Sequence, residues 1–122
     1  MEANARRALA EQLRHRRELI FNEVADVEDD LGSIAEERQS ELEERAQEER
    51  TTRLLARLDD VGKQEIEEID EALRRISSGV YGTCEGCRHE IPLARLQALP
   101  ATRICIECAR EAEATAAGRG TT

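Results

Sequence analysis

The sequence predicts a mostly α protein: a long antiparallel α-helical hairpin of coiled-coil type, then a small module built on four cysteines and a short C-terminal helix. Apolar residues recur at spacings of three and four along most of the first 78 residues, which indicates amphipathic helices. One Phe, one Tyr, no Trp and 37% charged residues cannot build a large globular core. The chain must therefore gain stability from a narrow apolar seam and from a bound metal.

The four cysteines form two Cys-x-x-Cys pairs. Cys84-Glu85-Gly86-Cys87 is followed by seventeen residues and then by Cys105-Ile106-Glu107-Cys108. Four thiolates suit a tetrahedral Zn²⁺ with no open position, and this spacing is typical of zinc-ribbon and treble-clef modules. Two disulfides, or one redox-active pair, are the competing interpretations. We predict one structural zinc ion held by all four cysteines.

The first helix is expected to begin near Asn4 and to continue through most of the first 34 residues. Its predicted seam is Leu9, Leu13, Ile20, Val24, Val27, Leu31 and Ile34. Gly32 is the first break, and capping boxes begin at Ser33 and at Ser40. The chain is therefore expected to turn near Gln39 and Ser40.

The second helix is expected to run from about Glu41 to Ser78, where Gly79 supplies a left-handed C-cap. Such a helix is about 57 Å long at about 1.5 Å per residue. Its predicted seam is Leu54 or Leu55, Leu58, Val61, Ile66, Ile69, Leu73 and Ile76. Residues 1–78 would then form the hairpin, with an acidic tip near 36–46.

The zinc module is expected to cover residues 79–117. Tyr81 should lie on a short strand and pack beside the metal. Pro92 should start a short helix whose apolar face is Leu93, Leu96 and Leu99. A last helix is predicted over 109–117 and a flexible tail over 118–122.

The net charge of −9 is concentrated in one segment. Residues 23–49 carry twelve acids against two arginines, whereas residues 1–22 have a small basic excess. This distribution argues against a general nucleic-acid binder and favours a basic partner or one that holds cations. The same acids could simply solvate an exposed helix and keep the protein soluble.

Several classes of function are disfavoured. No apolar run approaches membrane-spanning length, and the N-terminus lacks the apolar core of a signal peptide. Reduced cysteines without an export signal predict a cytoplasmic protein. No catalytic constellation is found, so we do not expect an enzyme. Pairing of two adjacent helices explains the seam without dimerisation, so we expect a monomer.

The motif Gly79-x-Tyr81-Gly82-x-Cys84-x-x-Cys87 resembles the start of the zinc finger of the bacterial DksA/TraR family. Further matches in the finger are Ile91, Arg95, Leu96, Ala98, Pro100, Cys105 and Cys108. The resemblance implies a regulator that inserts its coiled-coil tip into the secondary channel of RNA polymerase and binds no DNA sequence of its own. The negative charge of the predicted tip fits that use.

The family's tip motif, Asp-x-x-Asp-x-Ala, falls on Glu41 to Ala46. Glutamates replace both aspartates, as Glu41 and Glu44, and the alanine is kept as Ala46. The resemblance thus implies Glu41, Glu44 and Ala46 as the partner-binding residues. The best-known member works with guanosine tetraphosphate through basic residues on its second helix, but residues 61–68 here contain only Lys63 against three glutamates. This argues against the same nucleotide partner.

The family usually has glycine directly after the second cysteine, where a knuckle often needs positive φ, and this chain has Arg88. A non-glycine residue in that conformation costs about 1 kcal/mol. An alternative function is a zinc-ribbon adaptor that binds another protein or nucleic acid through a face around Arg88, Arg95 and Arg103. A third is a thiol switch that loses zinc on oxidation.

Overall fold

The computed structural model describes residues 1–26 and 40–120, which fold mainly as α-helices. The helices are α1 (Ala3–Asn22), α2 (Ser40–Arg57), α3 (Asp60–Ser78), α4 (Leu93–Ala98) and α5 (Ile106–Gly120). Within the described ranges, β pairing is limited to one isolated antiparallel bridge between Thr83 and Glu90. The predicted mostly α class is confirmed, whereas the short strand expected before the first cysteine is reduced to that bridge.

The first helix is shorter than predicted. α1 ends at Asn22, and its last carbonyls accept tightened bonds, including one from Val24 N–H to Phe21 O at 3.1 Å. The Arg57 guanidinium donates to Val24 O at 3.2 Å, which satisfies a carbonyl that a continuing helix would have bonded itself. The later seam residues Val27, Leu31 and Ile34, and the predicted turn at Gln39, lie outside the described residues.

The predicted second helix is broken in two, so the prediction of one continuous helix over 41–78 is wrong. α2 ends at Arg57, the chain bends at Leu58, and α3 begins at Asp60. The Asp59 carboxylate accepts a hydrogen bond from Gly62 N–H at 2.7 Å, as the N-cap of a new helix does. Asp59 therefore caps a new helix, α3, and does not continue α2.

The chain divides into two compact units, Met1–Arg14 with Glu68–Thr122, and His15–Glu67. In the second unit, Arg50 Nη2 lies 3.4 Å from Glu18 Oε1, and Arg57 Nη1 lies 3.2 Å from Val24 O. Contacts that advance from residue 18 on α1 to residue 24, just beyond its end, thus advance along α2 from residue 50 to 57. Because both contacts advance in the same sense, α2 runs parallel to this part of α1.

α3 runs the other way. After the bend at Leu58, Glu65 Oε1 pairs with Arg16 Nε at 2.6 Å. Contacts therefore move back from Val24, just beyond α1, to Arg16 on α1 as the chain advances from Arg57 to Glu65. The antiparallel pairing expected of a helical hairpin is present in this unit between α1 and α3.

Burial follows most of the predicted seam. Among the described residues of the second unit, the buried apolar side chains are Ile20, Phe21, Leu54, Leu58 and Ile66. Val61 was predicted as a seam residue but is 76% exposed. The bend at Leu58 restarts the helical phase, so a spacing counted through the bend assigns Val61 to the wrong face.

α3 ends with the glycine cap that the sequence predicts. Gly79 has φ 79°, its N–H bonds to Ile76 O at 3.3 Å, and Val80 N–H bonds to Arg75 O at 3.1 Å. These two bonds are those of a Schellman motif. The cap closes α3 five residues before the first cysteine.

Two details of the C-terminal region differ from the predictions. Of the expected apolar face of α4, Leu96 is fully buried, whereas Leu93 and Leu99 are 44% and 51% exposed. The last helix is longer than the predicted 109–117, because it begins at Ile106, directly after a cysteine, and ends at Gly120. Among the helices of the described ranges, none is both long and apolar enough to cross a membrane.

Candidate metal centre

The four cysteines meet at one point. Their sulfur atoms all lie within 4.8 Å of one another. Cys84 Sγ is 3.6 Å from Cys108 Sγ, and Cys87 Sγ is 3.8 Å from Cys105 Sγ. Zn–S bonds of about 2.3 Å in a tetrahedron place sulfurs about 3.8 Å apart. The cluster is therefore already spaced to hold one zinc ion, in agreement with the prediction.

The first knuckle is a tight turn closed by backbone hydrogen bonds. Cys84 N–H donates to His89 O at 2.9 Å, and Arg88 N–H donates to Cys84 O at 2.9 Å. This closure requires Arg88 to adopt φ 66°, the only positive φ of a non-glycine residue in the described chain. The structure thus confirms the strained conformation expected for an arginine at this position.

Gly86 lies between the two cysteines of the first knuckle and touches the sulfur cluster. A Cβ atom at this position would lie 2.9 Å from Cys108 Sγ, closer than real Cβ contacts come. The second knuckle can approach the first only because residue 86 has no side chain.

The second knuckle stands at the start of α5. Cys105 N–H donates to Cys84 Sγ at 3.3 Å, and Cys108 N–H donates to Cys105 Sγ at 3.5 Å. Backbone N–H groups at the beginning of a helix stabilise negative charge, and here two of them donate to cysteine sulfurs of the cluster. The early start of α5 therefore has a chemical role at the metal centre.

The sulfurs are unequal as proton acceptors. The N–H of Cys105 is the main cause that lowers the pKa of the Cys84 thiol to about 6. The pKa of the Cys108 thiol is raised, first because it shares hydrogen bonds with the Cys105 and Cys84 sulfurs. Backbone donors thus favour the thiolate of Cys84 but not that of Cys108, and a divalent cation would stabilise the thiolate at both.

Three side chains outside the knuckles hold the segment that leads into the second one. The Tyr81 hydroxyl donates to Pro100 O at 2.8 Å, Arg75 Nη2 lies 3.5 Å from Ala101 O, and Arg95 Nε donates to Ile104 O at 3.0 Å. Burial lowers the pKa of Arg75, the one buried charged side chain among the described residues. Tyr81 was predicted near the metal, but the part played by Arg75 was missed, since an arginine on a charged helix gives no sequence signal of burial.

The predicted partner-binding residues lie elsewhere, in the second unit. Glu41 and Glu44 are exposed at the start of α2, and Ala46 is half-buried. The expected start of this helix near Glu41 agrees with the observed start at Ser40. The cysteines belong to the other unit, so these two candidate sites are separate features of the chain.

Residues 79–114 match the family described as the prokaryotic DksA/TraR C4-type zinc finger. The chain carries a zinc finger of the DksA/TraR family. The matched range begins at the capping Gly79 and includes all four clustered cysteines, so the geometry and the family match identify the same DksA/TraR finger.

Relatives extend the DksA/TraR match beyond the finger. An uncharacterised protein of Aquifex aeolicus is 49% identical over 63 residues, 52% of this chain and 43% of that protein. The RNA polymerase-binding transcription factors DksA of Caulobacter vibrioides and Escherichia coli are 39% and 34% identical over 71 and 70 residues. These matches cover 58% and 57% of this chain, and the chain covers only half or less of each relative, 50% and 46% for these two.

A solved structure shares the fold. Transcription factor DksA2 from Pseudomonas aeruginosa superposes with a TM-score of 0.62 at 24% sequence identity, covering 94% of this chain and 88% of that one. The similarity thus extends beyond the DksA/TraR finger to the helical part of the chain.

Proposed function

We propose that this protein is a non-enzymatic transcription regulator that binds bacterial RNA polymerase and inserts an acidic helical tip into its secondary channel. The observation that carries the proposal is the four-sulfur cluster inside a DksA/TraR finger. Relatives whose matched region reaches well beyond the finger are named RNA polymerase-binding transcription factors. The assignment by relatives is supported independently by the exposed carboxylates at the start of α2.

Glu41 and Glu44 are the proposed working residues. Both side chains are exposed at the start of α2, where they remain hydrated and available to a partner that carries cations or basic side chains. Ala46 is small enough to let a partner surface approach the same helix. Zinc has a structural role, because four thiolates leave no open position for a substrate.

The partner set follows from the same proposal. Contact with polymerase places the protein in the cytoplasm, and no DNA sequence is read directly. Guanosine tetraphosphate is not expected to act through α3, since Lys63 is the single cation of the matching stretch 61–68. We propose that a monomer engages the polymerase.

The test is in vitro transcription from a ribosomal promoter with purified bacterial polymerase. The tip variant is Glu41→Gln with Glu44→Gln, which removes two charges at nearly constant shape. The matched control is Glu48→Gln with Glu49→Gln, an equal charge change at two exposed positions of the same helix. We expect the effect on transcription to be lost in the tip variant and kept in the control.

Equal loss in both variants would mean that only total charge matters, and no loss in either would remove the tip from the mechanism.

The adaptor alternative is tested with Arg88→Gly and Arg103→Ala, since both side chains are exposed. Arg95 is unsuitable for this purpose, because it donates to Ile104 O beside the second knuckle. Binding that depends on Arg88 and Arg103, but not on Glu41 and Glu44, would favour the adaptor.

A further inference from the structure

The bend between α2 and α3 is built by specific groups. Asp59 caps α3 through its carboxylate, which accepts the Gly62 N–H at 2.7 Å. Leu58 N–H bonds to Leu55 O at 3.2 Å, a tightened last turn that closes α2. The fit around Gly62 is close, since a Cβ there would lie 3.2 Å from Asp59 Oδ1 and from Leu58 Cδ2. Each helix therefore has its own terminus at the bend.

A second set of contacts holds α2 against α1 and against residues 23–26 that follow it. Leu54 is fully buried and Leu58 is 8% exposed. Arg50 pairs with Glu18 at 3.4 Å, and the Arg57 guanidinium reaches Val24 O and, at 3.4 Å, the Asp26 carboxylate. The contacts come from the C-terminal half of α2, whereas residues 41–49 are exposed apart from half-buried Ala46. Among the described residues, the contacts that attach α2 therefore come from one half of the helix.

These contacts exclude a straight helix through residues 50–65. Arg50 and Glu65 pair with Glu18 and Arg16, which are only two residues apart on α1. In a continuous helix, residues 50 and 65 would be about 22 Å apart along the axis, against about 3 Å for residues 16 and 18. The folded-back arrangement and the straight one are therefore two discrete states.

We propose that α2 is a switchable arm, closed against α1 in the free protein, that straightens at Leu58 and Asp59 into one helix with α3 when the protein engages its partner. The regulatory part of this inference rests on the proposed function, in which Glu41 and Glu44 must reach into a narrow channel. In the closed state α2 returns alongside α1 and adds no reach. In the open state residues 41–78 would form one helix of about 57 Å, against about 28 Å for α3 alone.

The local sequence supports both states. The run Ala56-Arg57-Leu58-Asp59-Asp60 contains no glycine or proline, so nothing in it forbids a continuous helix. Closing buries leucine, and opening restores backbone hydrogen bonds across the bend.

The two states can be shifted by substitutions at adjacent positions. Asp59→Ala removes the cap of α3 and introduces the best helix former, so it favours the open state. Asp60→Pro has the opposite effect, because proline suits the first residue of a helix but breaks a helix interior. Glu18→Arg sets a like charge against Arg50 and favours opening without altering the bend.

The measurement is the distance between spin labels on Glu49 and Glu67, both exposed and nearly equidistant from the bend. Labels are attached through non-natural residues, so the four cysteines keep their zinc. We expect the two labelled positions to be about 10 Å apart in the closed state, which is the spacing of packed helices. In the open state they should be about 27 Å apart along one helix. Circular dichroism confirms that each variant keeps its helix content.

The expected result without polymerase is a short distance in the unsubstituted protein and in Asp60→Pro. A long population should appear in Asp59→Ala and in Glu18→Arg. The proposal is overturned if both opening variants show the short distance alone, or if the unsubstituted protein already shows the long one. None of these readings depends on the proposed function.

Addition of polymerase to the labelled protein then tests the regulatory part of the proposal. We expect added polymerase to lengthen the distance, and Asp60→Pro to bind at least tenfold more weakly and to lose its effect on transcription. Equal binding and effect of Asp60→Pro and the unsubstituted protein would overturn the proposed switch while leaving the polymerase assignment intact. If the unsubstituted protein and Asp59→Ala both fail to bind polymerase, the proposed function is wrong, and so is its proposed regulation. The label distances measured without polymerase would still decide whether the bend has two states.

Discussion

The Tyr81 hydroxyl donates a hydrogen bond to Pro100 O at 2.8 Å, which ties the start of the zinc finger to the segment before its second knuckle. The tyrosine is 7% exposed, and burial raises its pKa to about 12. The neutral phenol is therefore favoured in the folded state. Tyr81 contributes stability that is fully present below about pH 10, the ordinary tyrosine value, and is lost as the pH rises towards 12.

We expect the free energy of unfolding to fall by about 1–2 kcal/mol between pH 10 and 12 through this group. Urea unfolding of the zinc-loaded protein at several pH values measures the change. Tyr81→Phe should be less stable at neutral pH by about 1 kcal/mol, because Pro100 O loses its donor, and should show a shallower decline at high pH. Parallel pH profiles for the two proteins would contradict the assignment.

Removal of zinc should unfold the finger. Structural zinc contributes on the order of 10 kcal/mol in small zinc modules. Without a cation, the pKa of the Cys84 thiol is lowered whereas that of the Cys108 thiol is raised. We expect metal analysis to give one zinc per chain and a strong chelator to lower the thermal midpoint, with recovery on readdition of zinc. Cys84→Ser should reproduce the chelated state, and a protein indifferent to chelation would refute the metal centre.

Arg88→Gly should stabilise the protein. Arg88 has φ 66°, where a side chain is strained and glycine is not. The expected gain is about 1 kcal/mol in the free energy of unfolding of the zinc-loaded protein. Arg88→Ala is the control, because alanine removes the charge but keeps Cβ, and it should give no such gain. Equal effects of the two substitutions would assign the change to charge.

Leu54 and Val61 make a matched pair of deletions on either side of the bend. Leu54 is fully buried and Val61 is 76% exposed, although the predicted seam included Val61 and either Leu54 or Leu55. Leu54→Ala should cost about 2–4 kcal/mol, and Val61→Ala less than about 0.5 kcal/mol. Thermal or urea unfolding measures both. A comparable cost at the two positions would restore the continuous seam and contradict the bend.

The finger was largely predictable because its constraints are local. Two Cys-x-x-Cys pairs specify the metal cluster, Gly79 marks the end of a helix, and the position of Arg88 after a knuckle predicts positive φ. Each of these follows from a few neighbouring residues and a fixed chemistry. All three expectations agree with the structure.

The helical part was less predictable because its decisive contacts join distant residues. Asp59 and Asp60 stand in a charged run that is also compatible with a solvated helix, so the cap at Asp59 gave no clear signal. The direction of α2 depends on Arg50 meeting Glu18 and on Arg57 meeting Val24, pairings over more than thirty residues that periodicity does not encode. The exposure of Leu93 and Leu99 was unpredictable for the same reason. A three-residue spacing of leucines does not show how much of a six-residue helix is buried by the rest of the protein.

The missing side chain at residue 86 has a consequence for the evolution of the finger. Every substitution there adds a carbon atom 2.9 Å from the Cys108 sulfur. Selection would therefore keep glycine at this position even if the protein changed its partner entirely. Invariance of residue 86 among homologues would record the crowding around a sulfur atom, and it should not be taken as a signature of recognition.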